Sequence, residues 1–240
     1  MKEVSIVARR RMYIHRPDGQ NEELGSGHVP LDRERILGTA LEVLNEVGLK
    51  DLSMRKIADK LQVKTASLYY HVKDKEELMQ LLSDRICRGM AWPEPSLAWQ
   101  EQIYQWAEQL RKVLLSYRDA VELFNQTIAR GSERLVQIEK LYHLLVSAGF
   151  PDIHIPWIAA ILKNYVFGFV AENVQLMTIA NNQYDSYENM SAHYEQFYEQ
   201  LPEDTFPNMI RLASYTTKTD WEKEFHFGLS VLIDGLKDKR

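Results

Sequence analysis

From Leu31 onward, apolar residues recur at three- and four-residue intervals, and no segment alternates apolar and polar residues as a half-buried strand would. That periodicity leaves an all-α fold as the expectation. Ile36, Ala40, Leu44 and Val47 line one face of a first helix, and Gly48 ends it. Ser53 suits the N-cap of a second helix, with Leu52 and Ile57 placed as a hydrophobic staple. A third helix starts at Thr65. A fourth opens at Asp74, with Glu77 at capping-box spacing and Leu78, Leu81, Leu82 and Ile86 along one side. Pro93 and Pro95 break the chain. Beyond them, helices are predicted over 96–116, 118–128, 133–148, 155–180 and 220–237. Residues 181–205 read as a polar interruption, and Tyr184, Tyr187, Tyr194, Phe197 and Tyr198 within it predict partial order.

The charge distribution adds a function to this pattern. The chain of 240 residues carries a formal charge of −5. Residues 53–75 nevertheless hold six Lys/Arg against two Asp/Glu, a local +4, while residues 91–240 hold 13 against 20, a net −7. One short basic segment on an acidic chain is a local footprint for phosphate. The single cysteine, Cys87, excludes an internal disulfide and a cysteine-rich zinc site. No run of about 20 unbroken apolar residues suggests a membrane span, and no apolar signal core opens the chain. A cytoplasmic protein is expected.

The basic segment coincides with a helix-turn-helix pattern: Ser53 to Leu61, a turn at Gln62-Val63-Lys64, and a second helix from Thr65 to His71. Ala58 lets the two helices approach, and Val63 and Leu68 can fill their joint. Thr65, Ser67, Tyr69, Tyr70 and His71 provide a short polar face for a major groove, with Lys73 and Lys75 beside it for flanking phosphates.

The run LSMRKIADKLQVKTASLYYHVKDKEELMQLL resembles the N-terminal domain of the TetR family of bacterial repressors, whose hallmark is LYxHFxxKxxL. HVKDKEELMQLL, LLSYRDA and FHFGLSVLIDGL are similar to the tetracycline-repressor subgroup, so the resemblance spans residues 31–240. It implies a three-helix DNA-binding domain at 31–75, a connecting helix at 76–92, and a helical effector-binding and dimerisation domain at 93–240. Residues 1–30 read as a mostly disordered extension, either a spacer or a basic arm for a minor groove. By resemblance, Met54 and Arg55 sit where the first helix of the motif touches DNA. Thr65, Ala66, Ser67 and Tyr69 take base-reading positions, and Tyr70, His71 and Lys75 take backbone-contact positions. Arg55 could hold a guanine edge or clamp a phosphate, Tyr69 could instead pack against the first helix, and His71 could be structural.

The same resemblance implies a homodimer on palindromic double-stranded operator DNA, released by a small-molecule effector. Its interface would use helices 155–180 and 220–237, through Ile158, Ile161, Leu162, Tyr165 and Phe169 and through Leu229, Leu232, Ile233 and Leu236, stripes that could equally be internal core. The sensor site departs from the tetracycline-binding pattern. Phe124 stands where the metal-binding histidine belongs, Trp106 where the drug-binding asparagine belongs, and Ala91 near a second histidine. Thr127 and Glu172 match pocket positions. Without hard-cation ligands, a Mg²⁺–tetracycline chelate is not expected, and neither a metal nor a cofactor is implied. Trp106, Phe124, Tyr165 and Phe167 instead suggest a flat, largely apolar effector, either polycyclic or a cationic drug, though aromatics at helical spacing also serve as core. No phosphate loop, HExxH or GxSxG occurs, and no nucleophile–base arrangement stands out, so catalysis is not expected. The expectation is a ligand-responsive repressor. A helical scaffold is the alternative.

Overall fold

The computed structural model describes residues 30–218 and 220–240. Among these it contains eleven α-helices and no strand. The extension expected at 1–30 lies outside the described residues, apart from Pro30. Residues Asp32–Arg240 cluster as one compact unit.

Helices α1 (Arg33–Val47), α2 (Met54–Leu61) and α3 (Thr65–Leu68) form the N-terminal bundle. Asp32 caps α1 through Arg35 N, and Ser53 caps α2 through Lys56 N. Ile36, Leu44, Leu52, Ile57, Ala58 and Leu68 have almost no exposed surface. Gln62 ends α2 in the left-handed region at φ 58°, while Val63 N donates to Ala58 O at 3.0 Å. A side chain there costs roughly 1 kcal/mol, which sharpens the turn at the expense of stability. The helix expected over Thr65–His71 is shorter: α3 proper stops at Leu68, and both His71 N and Val72 N turn back to Leu68 O at 2.9 Å.

Helix α4 (Lys75–Arg88) packs on both α1 and α7 (Ser132–Ser147). At its start Asp74 Oδ1 accepts from Glu77 N at 2.8 Å, and Glu77 Oε2 accepts from Lys73 N at 2.6 Å. Near its end, Asp84 caps α7. The N-cap of α7 is Gly131, which has no side chain to offer, and Arg134 N donates instead to Asp84 Oδ1 at 2.8 Å. A Cβ on Gly131 would lie 2.2 Å from the Asp84 carboxylate, so glycine is what lets the two helices share this cap.

A second joint ties the bundle to α5 (Trp99–Leu115) and α6 (Ala120–Asn125). Gly48 turns the chain at φ 80°, and Leu49 N donates to Asp119 Oδ2 at 2.8 Å. Arg118 donates its backbone amide to Asn45 Oδ1 and its guanidinium to Glu46 O.

Helix α8 (Ile155–Gln183) packs against α5, α6, α7, α9 (Tyr187–Glu199) and α11 (Trp221–Leu236). Among the described residues it alone is long and apolar enough to cross a bilayer, by length and composition only, and its in-chain neighbours bury about a third of that stretch. The polar interruption expected at 181–205 is corrected. α8 continues through Gln183, and α9 and α10 (Pro207–Thr217) pack together as a hairpin. The breakers sit at the ends of these helices: Asp185 turns at φ 66°, Ser186 caps α9 through Asn189 N, and Pro202 lies in the next turn. Ser191 Oγ then donates to Thr217 O at 2.6 Å across the hairpin.

Asp84→Ala and Gly131→Ala should each lower the unfolding free energy by about 1–2 kcal/mol. Both remove the same cap, so the double variant should cost clearly less than their sum, as a urea-denaturation double-mutant cycle would read.

Candidate functional site

Two regions gather most of the residues expected at functional sites. The first is the outer face of α2 and α3. Arg55 leaves 86% of its side chain in solvent, holding Asp59 one turn on at 3.8 Å. Tyr70 is 90% exposed and Tyr69 51%, so the partly packed alternative for Tyr69 covers only half of it. Ala66 and Lys75 are exposed, and Thr65, Ser67 and His71 are half-buried along the same short surface. Met54 does not join them. As the first residue of α2 it turns inward and is buried, so it has little surface to offer DNA. Arg33 of α1 fixes the end of this surface, donating to His71 O from Nε at 3.2 Å and from Nη2 at 2.9 Å.

The second region is a cavity of about 450 Å³ between α4, α5, α6, α7 and α8. Of the six residues expected at an effector site, Trp106, Phe124, Thr127 and Phe167 line it. Tyr165 and Glu172 do not. Successive residues turn by about 100° around a helix, so neither shares the face of Phe167. Tyr165 points to α11, where its hydroxyl donates to Phe225 O at 2.7 Å, and burial pushes its pKa up to about 12. Glu172 borders a different groove, with Tyr187, Met190 and Trp221.

The cavity also holds groups that the aromatic pattern did not reveal: Cys87, Met90, Arg134, Gln137 and Lys163. Arg134, Gln137 and Leu141 follow one another at i, i+3 and i+7, so they extend the buried stripe of α7 and were visible in the sequence as its polar end. The Arg134 guanidinium bridges two helices. It donates to Thr127 Oγ1 at 2.8 Å and to Ser83 Oγ of α4 at 3.3 Å, and it lies over the Phe124 ring at 4.8 Å. Gln137 donates to Cys87 O at 3.1 Å and accepts from Trp92 Nε1. One wall of the cavity is therefore bonded directly to α4, the helix that follows the N-terminal bundle.

No Asp, Glu or His lines the cavity among the described residues. Among the described residues the one grouping with metal-ligand character, Glu108, Glu222 and His226, lies at the joint of α5 and α11. Arg111 bonds Glu222 there and lies 3.8 Å from Glu108, so a resident guanidinium already offsets one of its two carboxylate charges.

The stripes expected at a dimer interface divide. Ile158, Leu162, Leu229, Ile233 and Leu236 are buried within the chain, and Leu232, Tyr165 and Phe169 are half-buried. Ile161 stays exposed, and so do Trp157 on α8 and Phe227 and Val231 on α11. The free apolar surface of the two helices is thus offset from the predicted one.

Residues 92–240 match the family described as Tetracyclin repressor-like, C-terminal domain, and residues 36–82 match Bacterial regulatory proteins, tetR family. An HTH-type transcriptional regulator of Saccharopolyspora erythraea is 35% identical over 60% of this chain and 62% of its own length. The tetracycline repressor protein class G of Vibrio anguillarum is 29% identical over 88% of this chain and 95% of its own. The crystal structure of the Streptomyces coelicolor TetR family protein ActR in complex with actinorhodin superposes with a TM-score of 0.77 at 30% identity, covering 87% of this chain and 96% of that one.

Cys87 gives a direct check on how closed the cavity wall is. Burial pushes its thiol pKa up to about 12, so at pH 8 almost no thiolate is present. A thiol-specific disulfide reagent should modify the native protein at least roughly 100-fold more slowly than the urea-unfolded chain.

Proposed function

The chain belongs to the TetR family of bacterial transcriptional regulators, and from that premise we propose that it acts in the cytoplasm as a homodimeric repressor released from its operator by a small effector in the cavity between α4 and α8. The observation that carries this reading is the double role of α4. Helix α4 packs on the DNA-facing bundle through α1, and it bonds through Ser83, Asp84 and Cys87 O to the α7 residues that wall the cavity. A ligand that shifts α7 therefore acts on the helix-turn-helix through bonded neighbours.

On this reading residues 31–75 grip DNA, 76–92 connect, and 93–240 hold the effector and the partner subunit. Arg55, Tyr69, Tyr70 and Lys75 supply the outermost contacts, with Thr65, Ala66 and Ser67 close to base edges. The exposed Trp157, Ile161, Phe227 and Val231 supply the dimer face. Two copies of the motif then meet successive major grooves about 34–36 Å apart on a palindrome. Release needs a coupling of only about 1–3 kcal/mol between effector and DNA. The ActR complex supports a small-molecule occupant for the matching domain.

The test is an operator obtained by selection from random DNA, followed by fluorescence anisotropy. Arg55→Ala and Tyr69→Ala should each weaken specific binding by about tenfold, with dimer mass unchanged in sedimentation. Lys75→Ala should weaken binding to all sequences alike and lower the salt slope by about one. Normal operator affinity in both Arg55→Ala and Tyr69→Ala would reject the assignment. Micromolar tetracycline with Mg²⁺ should leave the complex intact, because the cavity lining offers that chelate no carboxylate or imidazole.

A further inference from the structure

The cavity's charge is more specific than its apolar walls. Two cations line it, Arg134 on the α7 side and Lys163 on α8, and no acid lines it among the described residues. Lys163 is exposed, with its ammonium 5.2 Å from the centre of the Phe167 ring. Arg134 is half-buried, and its guanidinium bonds are to neutral oxygens only: Thr127 Oγ1, Thr127 O and Ser83 Oγ. No carboxylate lies within 4.0 Å of it among the described residues. Asp84, the nearest acid it feels, spends an oxygen on the Arg134 backbone amide, and Glu133 is paired with Arg88. A half-buried guanidinium without a contacting anion is a costly arrangement that a bound anion relieves.

We propose that the effector of this cavity is an aromatic anion, whose carboxylate, sulfonate or ionised phenol seats on Arg134 with Lys163 beside it, while its rings lie against Trp106, Phe124 and Phe167. The proposal rests on the cavity being the effector site and narrows the ligand class within it. It removes the cationic drug from the occupants that the aromatic lining alone would admit, since such a ligand would face Arg134 and Lys163 with nothing to balance them. It also gives Arg134 a second task. An anion drawing the guanidinium inward competes with its 3.3 Å bond to Ser83, so occupancy is felt on α4 at the same atom that recognises charge.

A matched pair of fluorescent probes tests this: 8-anilinonaphthalene-1-sulfonate, and its neutral counterpart N-phenyl-1-naphthylamine, which lacks only the sulfonate. Each is titrated into the full-length protein and three variants. Ala160→Trp, at the cavity rim, reports whether either probe uses the cavity at all. The wild type should bind the sulfonate at least about tenfold more tightly than the neutral probe. Arg134→Gln should erase that preference while leaving the neutral probe within about twofold, and Lys163→Gln should reduce it by a smaller factor. If Arg134→Gln fails to fold, Lys163→Gln with the salt dependence of the two wild-type titrations decides, because only an ion-paired probe weakens with added salt. Equal affinity for both probes, or a sulfonate affinity untouched by Arg134→Gln and Lys163→Gln while Ala160→Trp weakens both, overturns the anionic class and leaves the cavity assignment standing. If Ala160→Trp weakens neither probe, the cavity assignment fails and this proposal fails with it.

Discussion

The Asp84 carboxylate capping α7 is the contact on which the arrangement of this protein turns. A helix leaves its first amides without partners, and those amides are satisfied most simply by the side chain just before it. Here that position is Gly131, and the cap comes from a different helix. The N-terminus of α7 is thereby fastened to α4, and α4 is fastened in turn to α1 by ion pairs from Arg85 and Arg88 to Glu34. Glu34 and Arg88 are exposed and Arg85 is half-buried, so each of these solvent-reached pairs contributes little. The apolar side of α4, with Leu78, Leu82 and Ile86 fully buried, supplies most of the adhesion, and the polar contacts fix its register.

Such a layout suits a switch. Apolar packing alone is non-directional and sets no discrete register. A helix held by apolar packing plus a few directional bonds has discrete alternatives, and a ligand biases them by touching one bond. Arg134, Gln137 and Asp84 place those bonds between the cavity and α4, while Asp119 and Arg118 hold the far end of α1 to the α5–α6 turn. The N-terminal bundle is therefore tied at both of these joints to the helices that wall the cavity.

The N-terminal bundle was almost fully legible in the sequence because its signals are local. Caps at Ser53 and Asp74 and the small Ala58 act within a few residues of where they stand. Met54 is the exception: at the first turn of α2, one residue's rotation decides between surface and core, and periodicity alone does not resolve it. The hairpin of α9 and α10 was missed for a related reason. Asp185 and Pro202 lie inside the stretch 181–205 that reads as one polar interruption, yet together with Pro207 they punctuate two helices whose shared contacts, such as Ser191 with Thr217, span 26 positions.

The sequence by itself determined the helical class, the motif at Leu52 to His71, and the absence of hard-cation ligands at the aromatic positions, since each depends on residue type at short spacing. Only the tertiary structure decided which aromatic rings share a cavity, that Tyr165 and Glu172 face elsewhere, and that Arg134 and Lys163 enter it. A helix presents a new direction every residue, and which direction meets a cavity depends on where four other helices lie. The charge of the site is thus a property of packing, while the capacity to bind DNA was already written in the order of the residues.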